Sequence, residues 1–262
     1  LTELTALPTA AGCEQYVVEW ISTWAAKRGD VKITSDRYGN LVVTHAPKTK
    51  GKAAGSGRGK KHPPIYFTAH MDHPAFVVRS VTNDRELIAE FRGGVHPDYF
   101  MGTRVQLHHD GEPAQVGRIV AVEKPASREA GDIIATVSFP RDVLAMPGDI
   151  LTWKLPATTI RKDRVAAPAC DDLAGLAAAI AAFDVIYDSK GKQPKPDVRL
   201  LLTRCEEVGF IGAIGACKAK TMPKNALVIA LENSKRFAES PTGGAPIVRV
   251  GDRTSTFDPD LT

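Results

Sequence analysis

Acidic residues and one histidine stand at the ends of several apolar runs in this chain. In chain order they are His70 and Asp72 around the end of "PPIYFTAH", Asp171 and Asp172 in "CDDLAGLAAA", Glu206 and Glu207 after "LLLTRC", and Glu232 at the end of "ALVIALE". Carboxylates and imidazole are the side chains that hold divalent metal ions and move protons in hydrolytic sites. The spacing therefore raises the question of whether these residues converge.

They converge if the apolar runs are neighbouring parallel strands. In an open α/β sheet, ligands bind outside the carboxyl ends of the strands. Several uncompensated carboxylates in one partly buried place would repel one another, and a divalent cation removes that repulsion. Histidine with carboxylates favours zinc, with cobalt or manganese as alternatives.

Each motif by itself has a simpler interpretation. A single His-x-Asp can be an ordinary polar pair, Glu-Glu after a strand can begin a helix, and Asp-Asp before an alanine-rich run can be an N-cap. Cys170 and Cys205 flank the acidic pairs, so a mixed thiolate site is an alternative to two small buried residues. The order of all the motifs together favours a metal site over these separate interpretations.

The elements that must position these residues alternate along the chain. The sequence predicts an amphipathic helix within "AAGCEQYVVEWISTWAAKRG", closed by Gly29, and two alanine-rich helices over "DDLAGLAAAIAAFDVIYDS" and "GFIGAIGACKAK". The runs 63–70, 197–205 and 226–232 are continuously apolar, as in strands of a parallel sheet that are buried on both faces. We therefore predict an α/β fold with a mostly parallel sheet.

Residues 75 to about 165 have a different pattern. Short strand-like pieces alternate with Gly, Asp, Asn and Pro turns, which is typical of a small all-β barrel. The prediction is an inserted barrel domain at 75–165 within a catalytic α/β domain formed by 1–74 and 166–262.

Composition narrows the classes of protein. The chain of 262 residues is 43% hydrophobic and 24% charged, as in soluble globular proteins. Segment 48–61 carries six Lys/Arg and no acid, more than the whole formal net charge of +4. It contains no aromatic residue for base stacking, so a solvated loop is favoured over a nucleic-acid contact.

The cysteines and the lack of long apolar runs predict where the protein is located. The four cysteines lack metal or disulfide spacing, which favours reduced thiols. The chain has no signal peptide and no long apolar run, so we expect a cytoplasmic protein without a membrane partner. Because the sequence begins at Leu1 rather than Met, we expect it to be a trimmed or partial product.

The motifs together resemble a known family. "AHMDHPAF", "CDDLAGLAAA", "TRCEEVGFIGA" and the inserted β-module are similar to tetrahedral-aminopeptidase (TET-like) dinuclear zinc metallopeptidases of the glutamyl aminopeptidase type. "LPTAAGCEQ", "DRYGNL", "FRGGVHPDYFMGTRV" and "PIVRVGDRTSTFD" add to the resemblance, which covers nearly the whole chain. It implies an exopeptidase with two metal ions and self-assembly into homo-oligomeric particles.

The resemblance also implies a role for each residue of the site. His70 and Glu232 would bind the first metal, Glu207 the second, and Asp171 would bridge them, with Asp172 following in a strained turn. Asp72 would stand behind His70 and fix its tautomer. Glu206 would be the general base that deprotonates the attacking water. His96 lies in a stretch that the family places near the site; His45, His62, His73, His108 and His109 are expected to be solvent-facing or structural.

Two departures from the family pattern leave alternatives open. Aminopeptidases of this type usually carry Asp where this chain has Glu232, whereas related carboxypeptidases and N-acyl amino-acid hydrolases often carry Glu. Family members also supply a last histidine to the second metal, and no histidine follows His109 here. We expect a missing C-terminal segment and a second metal that is weakly held by residues 1–262. The alternatives are a carboxypeptidase or acylase, or an inactive homologue acting as a scaffold.

Overall fold

A computed structural model places three helices and thirteen strands in the described part of the chain. The described residues are 1–46, 62–110, 112–125, 132–162, 164–188, 196–236, 240–241, 243–244, 246–252 and 255–261. The helices are α1 (Gln15–Arg28), α2 (Cys170–Asp188) and α3 (Ile211–Ala219). The strands are β1 (Val31–Ser35), β2 (Leu41–His45), β3 (Ile65–His70), β4 (Ala75–Asn83), β5 (Glu86–Arg92), β6 (Arg104–His108), β7 (Gln115–Glu123), β8 (Ile133–Ser138), β9 (Ile150–Trp153), β10 (Thr159–Arg161), β11 (Arg164–Ala166), β12 (Val198–Thr203) and β13 (Leu227–Ala230). The basic segment 48–61 lies outside the described residues.

A five-stranded sheet has the order β1-β2-β12-β3-β13. β12 and β13 both pair with β3 in parallel, so the three apolar runs are neighbours, as predicted. β1 pairs with β2 and β2 with β12 in antiparallel fashion, so the sheet is mixed rather than mostly parallel. The parallel pairing brings the carboxyl ends of β3, β12 and β13 to one edge.

β13 departs from the predicted burial on both faces. It pairs with β3 on one side and is an edge strand of the described sheet. Val228 and Ile229 are 41% and 43% exposed. An apolar run thus predicts a strand here, but not whether other elements cover it.

α1 and α2 bury one face of the sheet. Val17 and Ile21 of α1 and Leu176 and Phe183 of α2 are fully buried with the strand side chains of one core. α1 ends as predicted, with Gly29 in the left-handed region at φ 74° and its N–H bound to the carbonyl of Ala25. Both helices are therefore rigid supports for residues at their N-terminal ends.

β4 to β9 form the predicted barrel. The six strands close in the order β4-β5-β8-β7-β6-β9. β5 alternates buried and half-buried residues, which is the period of a strand with one face in a core. Phe76, Phe91, Phe100 and Trp153 fill the interior through edge-on and tilted ring contacts. The barrel lies inside residues 75–165; these domain limits stay a prediction.

By contact density the chain divides into residues 1–232 and 233–262. The second unit contains a bridge between Gly251 and Thr256. No helix in the described ranges has the length and apolar character that crossing a bilayer requires.

Candidate metal centre

The edge formed by the ends of β3, β12 and β13 carries the candidate site. His70 is the last residue of β3 and is paired in register with Thr203, the last residue of β12. Glu206 and Glu207 follow β12 by a few residues, and Glu232 follows β13. α2 begins at the same edge, which adds Asp171 and Asp172. Elements far apart in sequence therefore deliver six side chains to one place.

The His70 imidazole lies at the centre of this group and is 3% exposed. Its Nε2 lies 3.2 Å from Asp171 Oδ1 and 3.8 Å from both Glu206 Oε2 and Glu232 Oε2. Two groups of side chains could each hold a metal ion, because the donor atoms within each group lie within 4.8 Å of one another. One group is His70, Asp172 and Glu232, and the other is His70, Asp171 and Glu207. Imidazole with two carboxylates fits a zinc-type ion at either set.

Asp72 connects the histidine to the two glutamates. It is fully buried, and its Oδ1 lies 3.4 Å from His70 Nδ1. Its two oxygens also accept the backbone N–H groups of Glu206 at 3.0 Å and Glu207 at 3.1 Å. Burial alone would raise the pKa of Asp72, but the contact with His70 and these N–H bonds lower it. One ionised carboxylate thus orients both sides of the site.

Crowded carboxylates shift the proton affinities of the site. Burial, reinforced by Asp171, raises the pKa of Glu207 to about 8. Burial also raises the pKa of Glu206, with Asp72 and Asp171 adding to the effect and His70 opposing it. Burial would lower the pKa of His70, but hydrogen bonds to Asp171 and Asp72 raise it to about 11. Protons balance charges here that a divalent cation would otherwise balance.

Asp172 is part of the cluster itself and not, as the family resemblance implied, only a turn residue after Asp171. It is fully buried, and its Oδ2 accepts the backbone N–H of His70 at 3.2 Å. Burial and the nearby Glu232 raise its pKa to about 8. Gly175 leaves room for this carboxylate, because a Cβ there would lie 2.1 Å from Asp172 Oδ1, a contact that the local sequence pattern does not indicate. Asp171 and Asp172 have non-helical dihedral angles, so neither simply begins the helix.

The other histidines and the cysteines near the motifs differ in how close they lie to the candidate site. His73, expected to be structural, contacts the carbonyl of Asp171 through Nδ1 at 2.5 Å and so lies beside the site. His96 is 67% exposed and bonds to Asp98 in its own loop. All four cysteines, each within the described residues, are free. Burial and the carboxylates of Glu14 and Asp72 raise the pKa of Cys205 to about 12, which disfavours a thiolate ligand.

The fold is shared with solved archaeal peptidases. The TET1 peptidase of Pyrococcus horikoshii is 20% identical over 99% of this chain and 76% of its own, with a TM-score of 0.69. Aminopeptidase APDkam598 of Desulfurococcus kamchatkensis is 20% identical over 95% and 67%, with a TM-score of 0.66. A TET aminopeptidase of Thaumarchaeota archaeon SCGC AB-539-E09 is 21% identical over 86% and 62%, with a TM-score of 0.63. A search of curated proteins found no significant match.

A mixed sheet, a closed barrel and a cluster of histidine and carboxylates define a metallopeptidase-like protein. The family model of M42 glutamyl aminopeptidases matches residues 51–262. The chain belongs to this family, which confirms the predicted TET-like resemblance. It is accordingly a hydrolase of peptide bonds, of the metal-dependent aminopeptidase type.

Proposed function

We propose that the protein removes N-terminal residues from short peptides, with Glu206 as the general base at a two-metal site. The observation that carries the proposal is the position of His70, whose Nε2 lies within 3.8 Å of carboxylate oxygens from Asp171, Glu206 and Glu232. Those residues come from three separate elements and share one small space. Partly buried carboxylates this close repel one another unless protons or a cation balance their charge.

The side chains divide into metal-holding and proton-moving groups. His70, Asp171, Glu207 and Glu232 would hold two divalent ions, zinc first, with cobalt or manganese as alternatives. Asp72 would hold the imidazole in its tautomer from behind. Bound divalent ions would supply Lewis acidity, polarising the scissile carbonyl and making water a stronger acid.

Glu206 would move the proton. Its side chain is 25% exposed, so water reaches it, and its raised pKa brings it closer to neutral pH. Its carboxylate accepts a proton from the attacking water and then delivers that proton to the departing amine. The backbone N–H bond to Asp72 keeps Glu206 aimed into the cluster while Glu207 beside it remains a ligand.

Two matched peptide pools test the direction of cleavage. One pool has a free amino end and a blocked carboxyl end, and the other has the reverse; mass spectrometry follows the zinc- or cobalt-loaded protein. We expect shortening from the free amino end alone. Cleavage only from the carboxyl end would make Glu232 diagnostic of a carboxypeptidase or acylase. No cleavage of either pool with metal bound would instead support an inactive scaffold.

We also propose that the protein is a cytoplasmic homo-oligomer. The P. horikoshii relative is described as assembling into a tetrahedron or a large octahedral shell. Light scattering coupled to size exclusion measures the assembly of this chain directly, and a monomer at micromolar concentration would contradict the proposal.

Metal uptake by the metal-free protein is expected to strengthen with pH. The ion must displace protons from its ligands Glu207, whose pKa is raised to about 8, and His70, whose pKa is raised to about 11. The pKa of the neighbouring Asp172 is also raised to about 8, and this carboxyl is expected to lose its proton when the positive charge arrives. Below pH 8 these groups hold protons that compete with the ion. For each proton that the ion displaces, the metal affinity is therefore expected to rise by about tenfold per unit of increasing pH. Co²⁺ titration with a pH indicator dye at pH 6, 7 and 8 measures affinity and proton release together.

Glu207→Gln provides the matched control for that titration. It removes one titrating ligand, so it should release fewer protons and show a shallower pH dependence. Uptake of Co²⁺ with the same affinity at pH 6 and 8, and without proton release, would rule out these residues as ligands.

A further inference from the structure

The segment that carries the proposed base is held by side chains rather than by the sheet. β12 ends at Thr203, and each of the next four backbone N–H groups binds a side-chain oxygen. In chain order the bonds are Arg204 to Asn40 Oδ1 at 3.2 Å, Cys205 to Glu14 Oε1 at 3.1 Å, Glu206 to Asp72 Oδ1 at 3.0 Å and Glu207 to Asp72 Oδ2 at 3.1 Å. All three acceptor side chains are fully buried.

The backbone needs this support because it leaves regular structure. Cys205 lies at φ 54°, in the left-handed region that a non-glycine residue adopts only at an energetic cost. A buried backbone N–H group that lacks an acceptor would destabilise the segment further, by about as much as a lost hydrogen bond. Because Cys205 directly precedes Glu206 and Glu207, its backbone conformation sets the direction in which the two glutamates leave the strand.

Glu14 is the acceptor most distant in sequence from this segment, and its side chain makes the most polar contacts of the three. It stands immediately before α1, yet its side chain makes no capping bond to that helix. Its Oε1 accepts the N–H groups of Gly12 at 2.9 Å and Cys205 at 3.1 Å. Its Oε2 binds Arg204 through Nε at 2.7 Å and a terminal guanidinium nitrogen at 2.5 Å.

Asn40 is oriented by hydrogen bonds to its own neighbours. Its amide nitrogen donates to Asp36 Oδ2 at 2.8 Å and to the carbonyl of Gly212 at 2.9 Å, which leaves Oδ1 to accept the Arg204 N–H. Gly212 has no room for a side chain, since a Cβ would lie 2.2 Å from the Arg204 carbonyl oxygen. The stretches "LPTAAGCEQ" and "DRYGNL" thus contribute one acceptor each.

We propose that Glu14 is a positioning residue for the reaction: its buried carboxylate fixes Arg204 and Cys205 and so aims Glu206 and Glu207 into the metal centre. The inference rests on the proposed role of Glu206. The start of α1, buried through Val17 and Ile21, is the rigid point from which Glu14 reaches the segment. Misplacing a catalytic group by about 1 Å can lower the rate by about 100-fold.

Glu14→Gln is the first test, because it keeps the size of the side chain and loses the charge. The new amide has only one oxygen, which can face either Arg204 or the N–H groups of Gly12 and Cys205. Because the Arg204 guanidinium is charged, we expect the oxygen to turn toward it and the NH2 group to face the Cys205 N–H, so the Cys205 bond is expected to weaken. We expect kcat for an aminoacyl p-nitroanilide to fall by about 10–100-fold with KM changed by less than about threefold. Hydrogen-exchange mass spectrometry, which needs no turnover, should show faster exchange of the backbone amides of residues 204–207.

Rescue separates positioning from general damage. Adding Arg204→Met to Glu14→Gln removes the competing guanidinium donors and lets the glutamine oxygen accept the Cys205 N–H again. We expect the double variant to recover at least about threefold in kcat over Glu14→Gln and to slow the amide exchange. If Glu14→Gln does not fold, Glu14→Asp keeps the charge with a shorter reach, and the same kcat and exchange measurements apply to it.

Arg28→Met is the matched control. Arg28 also joins α1 to carboxylates, pairing with Asp30, Asp184 and Asp188, but it does so roughly 20 Å along α2 from the metal centre. It should lower the melting temperature and leave kcat unchanged. Glu14→Gln with wild-type kcat and unaltered exchange, beside an inactive Glu206→Gln, overturns the positioning role alone. Full turnover by Glu206→Gln overturns the proposed function as well.

Discussion

Replacing Glu206 by glutamine is expected to lower kcat by about 10²–10⁴-fold while metal content stays unchanged. Glutamine has the same shape and keeps the backbone N–H bond to Asp72, but its amide accepts no proton at neutral pH. Glu206 has a raised pKa and a side chain that water can reach, as a base requires. Steady-state kinetics with elemental analysis of the same preparation measure both quantities.

The control for this variant is Glu123→Gln, an exposed residue of β7 in the barrel, which should match the wild type. Full turnover by Glu206→Gln would remove Glu206 from the mechanism. Loss of metal together with activity would instead make Glu206 a ligand, and the division of labour between the two adjacent glutamates would be wrong.

Replacing His70 by alanine is expected to weaken metal binding more than any other single change. His70 is common to both candidate sets of donor atoms, so whichever set holds the ion, this substitution removes its imidazole ligand. Losing only a partner that orients a ligand typically costs about 10–100-fold in affinity, so we expect a loss of at least about 100-fold here, with turnover falling in parallel. Competition titration of Co²⁺ against a chelating dye gives the affinity.

His96→Ala is the matched control, because His96 is exposed and bonds only within its own loop in the described structure. It should bind Co²⁺ as the wild type does. Because His70 is buried, a thermal melt of each metal-free variant must accompany the titration. A folded His70→Ala protein that retains two ions per chain would place the metal elsewhere.

Local pattern predicted much of this architecture. The apolar runs ending in His70 and in the Glu206–Glu207 pair indicated parallel strands, and β3 and β12 pair in that way. The helical spacing that ends at Gly29 predicted α1 and its C-terminal end, although the helix begins only at Gln15, and alternating short strands predicted the barrel. Strands and helices of this kind are predictable because hydrophobic periodicity and turn residues can be read within a short stretch of sequence.

Other features depended on how distant elements meet. Nothing in "GCEQ" indicates that Glu14 turns away from its own helix to accept an N–H 191 residues later. The place of Asp172 beside Glu232, and the exposure of β13 at a sheet edge, likewise depend on neighbours that the local pattern does not name.

By itself, the sequence determined which residue types stand at which strand ends. From those residue types a site that binds metal ions and transfers protons could be predicted. Only the tertiary structure decided which of those residues lie within reach of His70 and which buried carboxylates hold the backbone between Arg204 and Glu207. The physical reason is that strand and helix periods are local properties, whereas hydrogen bonds between remote side chains and backbone depend on packing of the whole sheet and its helices.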